Sequence, residues 1–170
     1  MLTREKESLS SFLQRTKSDP LFTKASNLLM RNGKRSKAEK VLLKALGVID
    51  KEYPGESLRI FYLAVIGVKQ DIAVRIKPKP KKKRKSQSTN SYNVYLPRVI
   101  SASKGFGLGI RSLVKASRDR SESSLSPLWD SLSRELIEAA RGRGAVVAKR
   151  YKVNELASSN KRRVHFGTRG

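Results

Sequence analysis

The sequence contains no cysteine and a single histidine, His165. The lack of cysteine excludes disulfides, thiolate-bound metals and cysteine nucleophiles, and a lone histidine excludes a paired-imidazole zinc site. His165 has no serine motif and no nearby acid to orient it, so we expect no catalytic role for it. No stretch approaches the roughly 18 consecutive apolar residues of a membrane helix. We therefore expect no metal and no membrane partner.

The first eighteen residues lack the apolar run of a secretory signal. They also carry Glu5 and Glu7, which a mitochondrial presequence would avoid. The sequence therefore shows no cleavable address. We interpret residues 1–18 as an N-terminal arm that is either flexible or a short docked helix.

Acidic residues are scarce, since 14 Asp and Glu stand against 38 Lys and Arg and give a formal net charge of +24. A compact chain with that excess repels itself unless an anionic partner neutralises it. Nucleic acid is the expected partner because every phosphate carries a negative charge. On charge alone an anionic membrane surface is the weaker alternative, and it is not the partner that we predict. The few carboxylates are scattered, whereas a metal-dependent enzyme acting on RNA needs them clustered, so we predict that the chain is not an enzyme and uses no cofactor.

Helical periodicity dominates the N-terminal part of the chain. Asp19 and Pro20 give a cap residue followed by proline at the first helical position, and Gly33 ends that helix. Ser36 and Glu39 have the spacing of a capping box, in which each side chain would satisfy a free backbone amide. The sequence therefore predicts a second helix from this point, and a third follows a Pro-Gly break.

A two-residue period replaces the helical period at residues 72–77 and again at 92–96, which predicts two strands. Between them lies the segment 78–91, PKPKKKRKSQSTNS, which is too polar and too rich in proline to pack. We predict a two-stranded ribbon over about 72–97 with a basic tip at 78–91, and Pro97 at an edge or near the end of its strand. Such a ribbon is marginally stable alone, so we expect it to lean on the helices or to become ordered on its ligand.

The densest run of cations in the chain extends from Lys77 to Lys85 and lies almost entirely in the tip of the predicted ribbon. The predicted RNA-binding residues of the ribbon are Arg75, Lys77, Lys79, Lys81, Lys82, Lys83, Arg84, Lys85 and Arg98. Lysines on flexible stems bind phosphates without reading bases, which favours contact with an RNA backbone. A nuclear localisation signal and a solvated loop without a partner are the alternatives. Tyr95, which we assign to the outward face of its strand, would either stack on an unpaired base or only cover the ribbon.

Glycines at 105, 107 and 109 precede the next helical pattern. We interpret them as a flexible lead-in to that helix, where missing side chains allow close backbone approach. Their spacing does not match a dinucleotide-binding loop. In the helix itself, Arg111, Lys115 and Arg118 fall on one face, and the scarcity of acids favours RNA as their partner.

A serine-rich stretch, 121–126, is predicted to be a loop. Ser126-Pro127 starts the next helix, in which Trp129 belongs to the apolar stripe. The last helix has a weak apolar stripe that includes Tyr151 and Leu156. Cations here form a second predicted RNA surface, namely Arg141, Arg143, Lys149, Arg150, Lys161, Arg162 and Arg163.

Several segments, in order, resemble the small-ribosomal-subunit protein family numbered seven, of the bacterial and organellar type. Residues 27–38, NLLMRNGKRSKA, are similar to its helix end, Gly-Lys-Lys/Arg-Ser turn and helix start. Residues 71–75 and 92–97 resemble its two hairpin strands. Residues 132–140 resemble its fifth helix, and 156–166 its C-terminal motif. The matches extend over roughly 20–166, nearly the whole chain.

The pattern and the resemblance together predict a mainly α protein, a single domain of about six helices with a protruding two-stranded antiparallel β-ribbon. We place the rRNA-binding helical domain at 19–166 and a tail at 167–170. The resemblance implies binding to the 3′ major domain of small-subunit rRNA, support of head assembly, and a position near the tRNA exit site and the mRNA path. Neighbouring small-subunit proteins would be further partners. The residues that match the family's rRNA contacts are Lys34, Arg35, Lys37, Arg75, Lys77, Lys149, Arg150 and Lys161.

The sequence also departs from the family pattern. The family's Arg-Arg-Val-Gly-Gly hairpin turn is replaced by the lysine-rich tip, and its basic segment at the start of the fourth helix is replaced by the glycine-rich 105–109. These departures favour an organellar member, and we predict the ribosome of the mitochondrial matrix, with plastid and bacterial cytoplasm as alternatives. The alternative function, from a different class of proteins, is that of a DNA-compacting or nuclear basic protein.

Overall fold

Six α-helices and one two-stranded sheet form the part of the chain that the structure, a computed structural model, describes: Thr16 and residues 18–77 and 94–164. The elements are α1 (Pro20–Leu29), α2 (Arg35–Glu52), α3 (Ser57–Val68), β1 (Ile72–Lys77), β2 (Val94–Val99), α4 (Ala102–Ser124), α5 (Leu128–Ala140) and α6 (Ala145–Ser159), with a 3-10 turn at Lys161–Arg163. These elements confirm the predicted mainly α class. Predictions for the arm before Thr16, the tip at 78–91, Tyr92, His165 and the tail lie outside the described residues.

Helix α5 lies at the centre of the core and packs against α2, α3 and α4. Its Leu132 and Leu136 are four residues apart, so both point to the same side, and both are buried. Phe22 of α1 and Phe61 of α3 are almost fully buried in the same cluster. Helix α1 begins as predicted, with the Asp19 carboxylate accepting a hydrogen bond from the Leu21 amide at 3.0 Å.

The ribbon is antiparallel, with Val74 opposite Pro97 and Arg75 opposite Leu96. Strand β2 runs two residues past the predicted end, to Val99. Directly opposite residues share a face, so Arg75 and Arg98 lie on one face and Val74 and Pro97 on the other. Helix α6 packs along β1 and the 3-10 turn lies beside β2. The ribbon therefore leans on the C-terminal helix, as expected for a two-stranded sheet.

The capping box predicted at Ser36 and Glu39 is wrong. With Ser36 as the cap the helix would begin at Lys37, but α2 begins two residues earlier, at Arg35, and has no side-chain cap. Asn32 and Gly33 both have positive φ, at 52° and 70°, and their turn brings the helix start forward. Glu39 instead accepts a hydrogen bond from Arg35 Nε at 2.8 Å.

The glycines at 105, 107 and 109 do not precede their helix, as predicted, but lie inside it, because α4 begins at Ala102. The predicted close backbone approach is confirmed. A Cβ atom on Gly109 would lie 2.6 Å from the Val68 carbonyl oxygen, and one on Gly105 would overlap the Gln70 carbonyl. Helix α4 thus crosses the end of α3 with backbone against backbone.

The serine-rich stretch 121–126 is helical up to Ser124, so the predicted loop is wrong for most of its length. The hydroxyls of Ser123 and Ser124 donate to the carbonyls four residues earlier, at 2.8 and 2.7 Å, which satisfies them within the helix. The chain reverses only around Leu125, whose φ is 50°.

Tyr151 and Leu156, predicted in the inward stripe of the last helix, are exposed. Helix α6 contributes Val146 and Val147 of its first turn to the core and then runs along β1, so its later turns have little core to cover. Trp129 packs against the core but stays partly exposed.

Candidate nucleic-acid interface

A stripe of cations runs along the side of α4 that borders α1. Arg111, Lys115 and Arg118 line one groove of about 360 Å³ together with Leu28 of α1 and Arg31, which follows that helix. Their predicted position on one face is therefore confirmed. Lys104 lies seven residues, or about two turns, before Arg111 and extends the stripe toward the ribbon.

A second groove, of about 630 Å³, separates the base of the ribbon from the start of α4. Its lining includes Lys24, Arg75, Arg98, Lys104 and Arg111, and no carboxylate among the described residues. The Lys24 ammonium donates to the backbone carbonyl and hydroxyl of Ser103 at 2.5 and 3.0 Å. This contact connects α1 to the first turn of α4. It also fixes the positive charge of Lys24 at the edge of the groove.

A third groove, of about 350 Å³, opens at the start of α2. Arg31, Lys34, Lys37 and Arg118 line it, with Glu122 at one side. The Arg35 amide, the first of α2, donates to the Gly33 carbonyl at 2.8 Å. Because α2 has no side-chain cap, the next amides of its first turn are available to an anion. The predicted contacts Lys34 and Lys37 fall in this groove, whereas Arg35 pairs with Glu39 of its own helix.

The three grooves form one continuous surface, because the first two share Arg111 and the first and third share Arg31 and Arg118. We call this surface the basic face. Its two carboxylates are Asp119 and Glu122. Its cations are Lys24, Arg31, Lys34, Lys37, Arg75, Arg98, Lys104, Arg111, Lys115 and Arg118.

Arg118 lies on the basic face without an ion pair to any described carboxylate. Its Nη2 donates to the Leu29 carbonyl at 3.0 Å, and its buried Nε has no hydrogen-bond partner among the described residues. Burial, and to a smaller extent the charge of Arg31, lowers the pKa of Arg118, while Glu122 opposes this. A guanidinium held partly out of water beside another cation is stabilised when an anion binds.

In the second predicted surface, at the C-terminal end, all the cations except Arg150 are exposed, and Arg150 is partly buried. The exposed cations are Arg141, Arg143, Lys149, Lys161, Arg162 and Arg163. The Arg141 guanidinium contacts the Tyr53 hydroxyl and lies 5.8 Å from the centre of that ring. Arg150 donates to the Gly67 carbonyl at 2.8 Å and so holds α6 against α3. RNA contacts by Arg141 and Arg150 stay predictions.

Three cations of the basic face escaped the sequence analysis: Lys24, Arg31 and Lys104. Their spacing carries a signal that could have found them. Lys104 is seven residues before Arg111 within α4, so the two share a helix face. Lys24 and Arg31 have the same spacing, although α1 ends at Leu29, before Arg31. Lys77 is the last residue of β1, opposite Val94, and the cations from Lys79 to Lys85 lie outside the described residues. Tyr95 is partly exposed, and its stacking role stays a prediction.

Carboxylates in the described part of the chain do not form a reactive cluster. No group of three metal-ligating side chains occurs there. Glu135 and Glu138 are both paired with Arg120, at 2.7 and 2.9 Å. None of the described helices is long and apolar enough to cross a membrane. The fold and the basic face define a helical protein suited to binding a polyanion.

Comparison with known proteins gives the family. A family model described as "Ribosomal protein S7p/S5e" matches residues 3–161. The chain is 34% identical over 153 residues to "Small ribosomal subunit protein uS7" of Polynucleobacter necessarius subsp. necessarius (strain STIR1), and 33% identical over 153 residues to that of Azoarcus sp. (strain BH72); each alignment covers 87% of this chain and 90% of the relative. It is 31% identical over 148 residues to "Small ribosomal subunit protein uS7A/uS7B" of Bartonella bacilliformis (strain ATCC 35685 / KC583 / Herrer 020/F12,63), with 87% and 86% covered.

The chain therefore belongs to the ribosomal protein S7p/S5e family. This confirms the resemblance found in the sequence. The family is structural and not enzymatic, which confirms the prediction that the chain is not an enzyme. The DNA-compacting alternative receives no support from these comparisons.

Proposed function

We propose that the chain is a structural protein of the small ribosomal subunit and that its basic face binds the 3′ major domain of small-subunit rRNA. The observation that carries the proposal is the composition of that face, ten cations with two carboxylates across α1, α2, α4 and the ribbon. Counterions released from the phosphates supply the affinity. The rigid arrangement of helices and ribbon supplies selectivity for RNA shape over base sequence.

The more detailed role follows from the family. We propose that binding supports assembly of the head, and that the ribbon and neighbouring helices lie near the tRNA exit site and the mRNA path. Neighbouring small-subunit proteins would then contact surfaces outside the basic face. The exposed cations of the 3-10 turn, Lys161, Arg162 and Arg163, lie beside β2 and would extend the RNA contact along the ribbon.

For the compartment we propose the mitochondrial ribosome. The support is the set of departures in the sequence, above all the lysine-rich tip in place of the family's hairpin turn. Fractionation of cells expressing the tagged chain tests this. Co-sedimentation with mitochondrial small subunits is expected, and recovery with plastid or bacterial-type cytoplasmic ribosomes instead would contradict it.

Binding to a transcript of the 3′ major domain, beside an unrelated RNA and duplex DNA, tests the main proposal across a salt series. Non-specific affinity should fall on the order of a thousandfold between about 50 and 200 mM salt. We expect the cognate transcript to stay bound while the other two dissociate. Equal loss from all three would contradict the proposal and favour the DNA-compacting alternative.

A charge-matched pair of variants assigns that binding to the basic face. The triple variant Lys104→Ala, Arg111→Ala, Lys115→Ala removes three cations of the face. The control removes three exposed lysines of α2 that lie outside it, Lys40→Ala, Lys44→Ala and Lys51→Ala. Both lose the same net charge, but only the first should lower the salt slope by about 2 to 3. Equal slopes would mean that charge alone, and not its placement, determines binding.

A further inference from the structure

The groove between the base of the ribbon and the start of α4, which we call the ribbon groove, has apolar side chains in its lining as well as cations. Its volume is about 630 Å³, and its apolar side chains include Leu28, Ala73, Ile100 and Leu108, all of them partly exposed. Ala73, Ile100 and Leu108 do not belong to the hydrophobic core cluster. Their apolar surface is therefore available to a ligand, as in binding sites that combine an apolar lining with a few polar groups.

The cations of the ribbon groove lie nearer to solvent than its apolar side chains, since Arg75, Lys104 and Arg111 are exposed. No carboxylate among the described residues lines the groove. These cations attract phosphate, but a phosphate is strongly hydrated and gains nothing from contact with a leucine or an isoleucine. The lining therefore fits a ligand that carries both an anionic group and an apolar surface.

Gly107 leaves space in the ribbon groove. It lies inside α4 and lines the groove, although glycine is a poor helix former. A Cβ atom there would meet only Lys24 Cε, at the ordinary contact distance of 3.5 Å, whereas one on Gly105 or Gly109 would overlap backbone atoms. The crossing of α4 over α3 thus requires Gly105 and Gly109 but not Gly107. The missing side chain at Gly107 instead widens the groove between the cations.

We propose that the ribbon groove binds an unpaired base of the RNA. The base lies against Ile100 and Leu108, and the neighbouring phosphates pair with Arg75, Lys104 and Arg111. A nucleotide carries an anionic phosphate and a base with two broad faces that can stack, which is the combination that the lining fits. A base held inside a duplex is covered on both faces and cannot enter. The inference rests on the proposed function and adds to it the part of the RNA that this groove recognises.

Arg98 is the planar group available for stacking on that base. No aromatic side chain lines the ribbon groove among the described residues, whereas Arg98 does. It lies directly opposite Ala73 in the ribbon, so both side chains are on the same face of the sheet. A guanidinium stacks on a flat ring through its own plane. Arg98 therefore contributes contact with the base in addition to its charge.

Three RNA probes with the same paired sequence test the proposal. One is a perfect duplex, the second carries one unpaired uridine, and the third carries an abasic nucleotide at that position. The last two have the same number of phosphates and differ only in the base. At about 200 mM salt, where non-specific binding is weak, we expect the full chain to bind the uridine probe about tenfold more tightly than the abasic probe. Equal affinities would overturn the proposal and leave the groove as a phosphate contact.

A leucine at position 107 assigns this preference to the ribbon groove. Gly107→Leu fills the groove without a change in charge, so it should abolish the preference for the uridine probe and leave both the affinity for the perfect duplex and the salt slope unchanged. The control, Ser123→Leu, adds the same side chain to an exposed position of α4 outside the groove and should keep the tenfold preference. An undiminished preference in Gly107→Leu would overturn the proposal.

A second substitution reaches the groove from its other side. Ala73→Leu narrows the ribbon groove from strand β1 and should also abolish the preference, so the test does not depend on how α4 tolerates a leucine. Thermal unfolding verifies that each variant is folded. A preference that survives in every folded variant of the two would contradict the proposal.

Photochemical cross-linking locates the base directly in the unmodified protein. The unpaired uridine is replaced by 4-thiouridine, and the irradiated complex is digested with trypsin, which releases residues 99–104 with Ile100 and residues 105–111 with Leu108. We expect the nucleotide adduct on these two peptides. Adducts found only on peptides from elsewhere in the chain would overturn the assignment of the groove.

Binding to the transcript of the 3′ major domain separates the failure of this inference from that of the proposed function. If the wild-type chain binds the transcript selectively but does not distinguish uridine from the abasic nucleotide, only the base site is wrong. If the transcript itself is not bound selectively, the proposed function fails, and the inference fails with it.

Discussion

Arg118 and Arg120 stand two residues apart on α4 and have opposite surroundings. Arg120 donates both Nη atoms to Glu138 at 2.9 Å and lies 2.7 Å from Glu135, and these carboxylates raise its pKa. Arg118 has no ion pair with a described carboxylate, and burial lowers its pKa. The protein supplies the anion where a cation holds the fold together. On the basic face Arg118 has no such carboxylate, which is consistent with the proposed binding of RNA there.

The same contrast divides the whole helix. The packed side of α4 carries Gly105, Gly109 and Leu113, where side chains are absent or buried. The other side carries Lys104, Arg111 and Lys115, with long charged side chains. Substitutions on the packed side should therefore change stability, and substitutions on the charged side should change binding.

The largest effect is expected from Gly109→Ala. The new Cβ would lie 2.6 Å from the Val68 carbonyl oxygen, so the backbone of α3 or α4 must shift, at a cost on the order of 3 kcal/mol. Gly107→Ala is the matched control, because its Cβ would meet only Lys24 Cε at 3.5 Å. It should stabilise α4 by about 0.5–1 kcal/mol. Urea unfolding measures both, and equal free energies of unfolding would refute the close crossing.

Removal of the two arginines tests the comparison itself. Arg120→Ala leaves Glu135, which is 3% exposed, without its cation, and should lower the free energy of unfolding by about 3 kcal/mol. Arg118→Ala loses one hydrogen bond to a carbonyl and should cost less than about 1 kcal/mol. Chemical denaturation at neutral pH separates the two. If Arg118→Ala destabilises as much as Arg120→Ala, the functional division of α4 is wrong.

RNA affinity should respond in the opposite order. Arg118→Ala should weaken binding to the 3′ major domain transcript roughly fivefold, about 1 kcal/mol, and lower the salt slope by about 1. Lys51→Ala, which removes an exposed charge outside the basic face, should leave both unchanged. A filter-binding series at several salt concentrations measures the slope, and the same loss in both variants would contradict a specific role for Arg118.

The smallest effect concerns pH. Burial raises the pKa of Glu135, although the charge of Arg120 opposes this. The native state then holds a proton that the unfolded chain releases, so the free energy of unfolding falls as pH rises from the ordinary glutamate value through the raised one. The slope in that window should be below about 1.4 kcal/mol per pH unit. Glu135→Gln should remove it, and a wild-type stability that rises in this window relative to Glu135→Gln would show that Arg120 outweighs burial.

Local patterns predicted the helices, the ribbon and much of the basic face, because apolar spacing reports which side of an element is buried. The local patterns gave wrong predictions where contacts with an element distant in the sequence determine the structure. The glycines of α4 resemble a flexible lead-in until the end of α3 is placed against them. The serines before Leu125 resemble a loop, yet their hydroxyls bond within α4 and Arg120 holds that end of the helix to α5.

Only part of the basic face was predicted, because tertiary contacts bring its remaining cations together. Arg111, Lys115 and Arg118 form a visible cationic stripe within one helix. Lys24 and Arg31 join them only because α1 packs beside α4. Conversely, Arg150 has the charge of an RNA contact, but the fold gives it the Gly67 carbonyl as a partner. Charge is visible in a sequence, whereas the partner of a charge depends on the tertiary structure.

The crossing of α4 over the end of α3 has a mechanical consequence. Strand β1 begins at Ile72, only two residues after Gln70, whose backbone touches Gly105. No side chain separates the two backbones there. A rotamer change therefore cannot absorb a movement of β1 relative to α4. The described part of the ribbon is about 20 Å long. Its base is held rigidly against α4. A displacement at its far end would be transmitted to α4, and with it to the arginines and lysines that α4 carries.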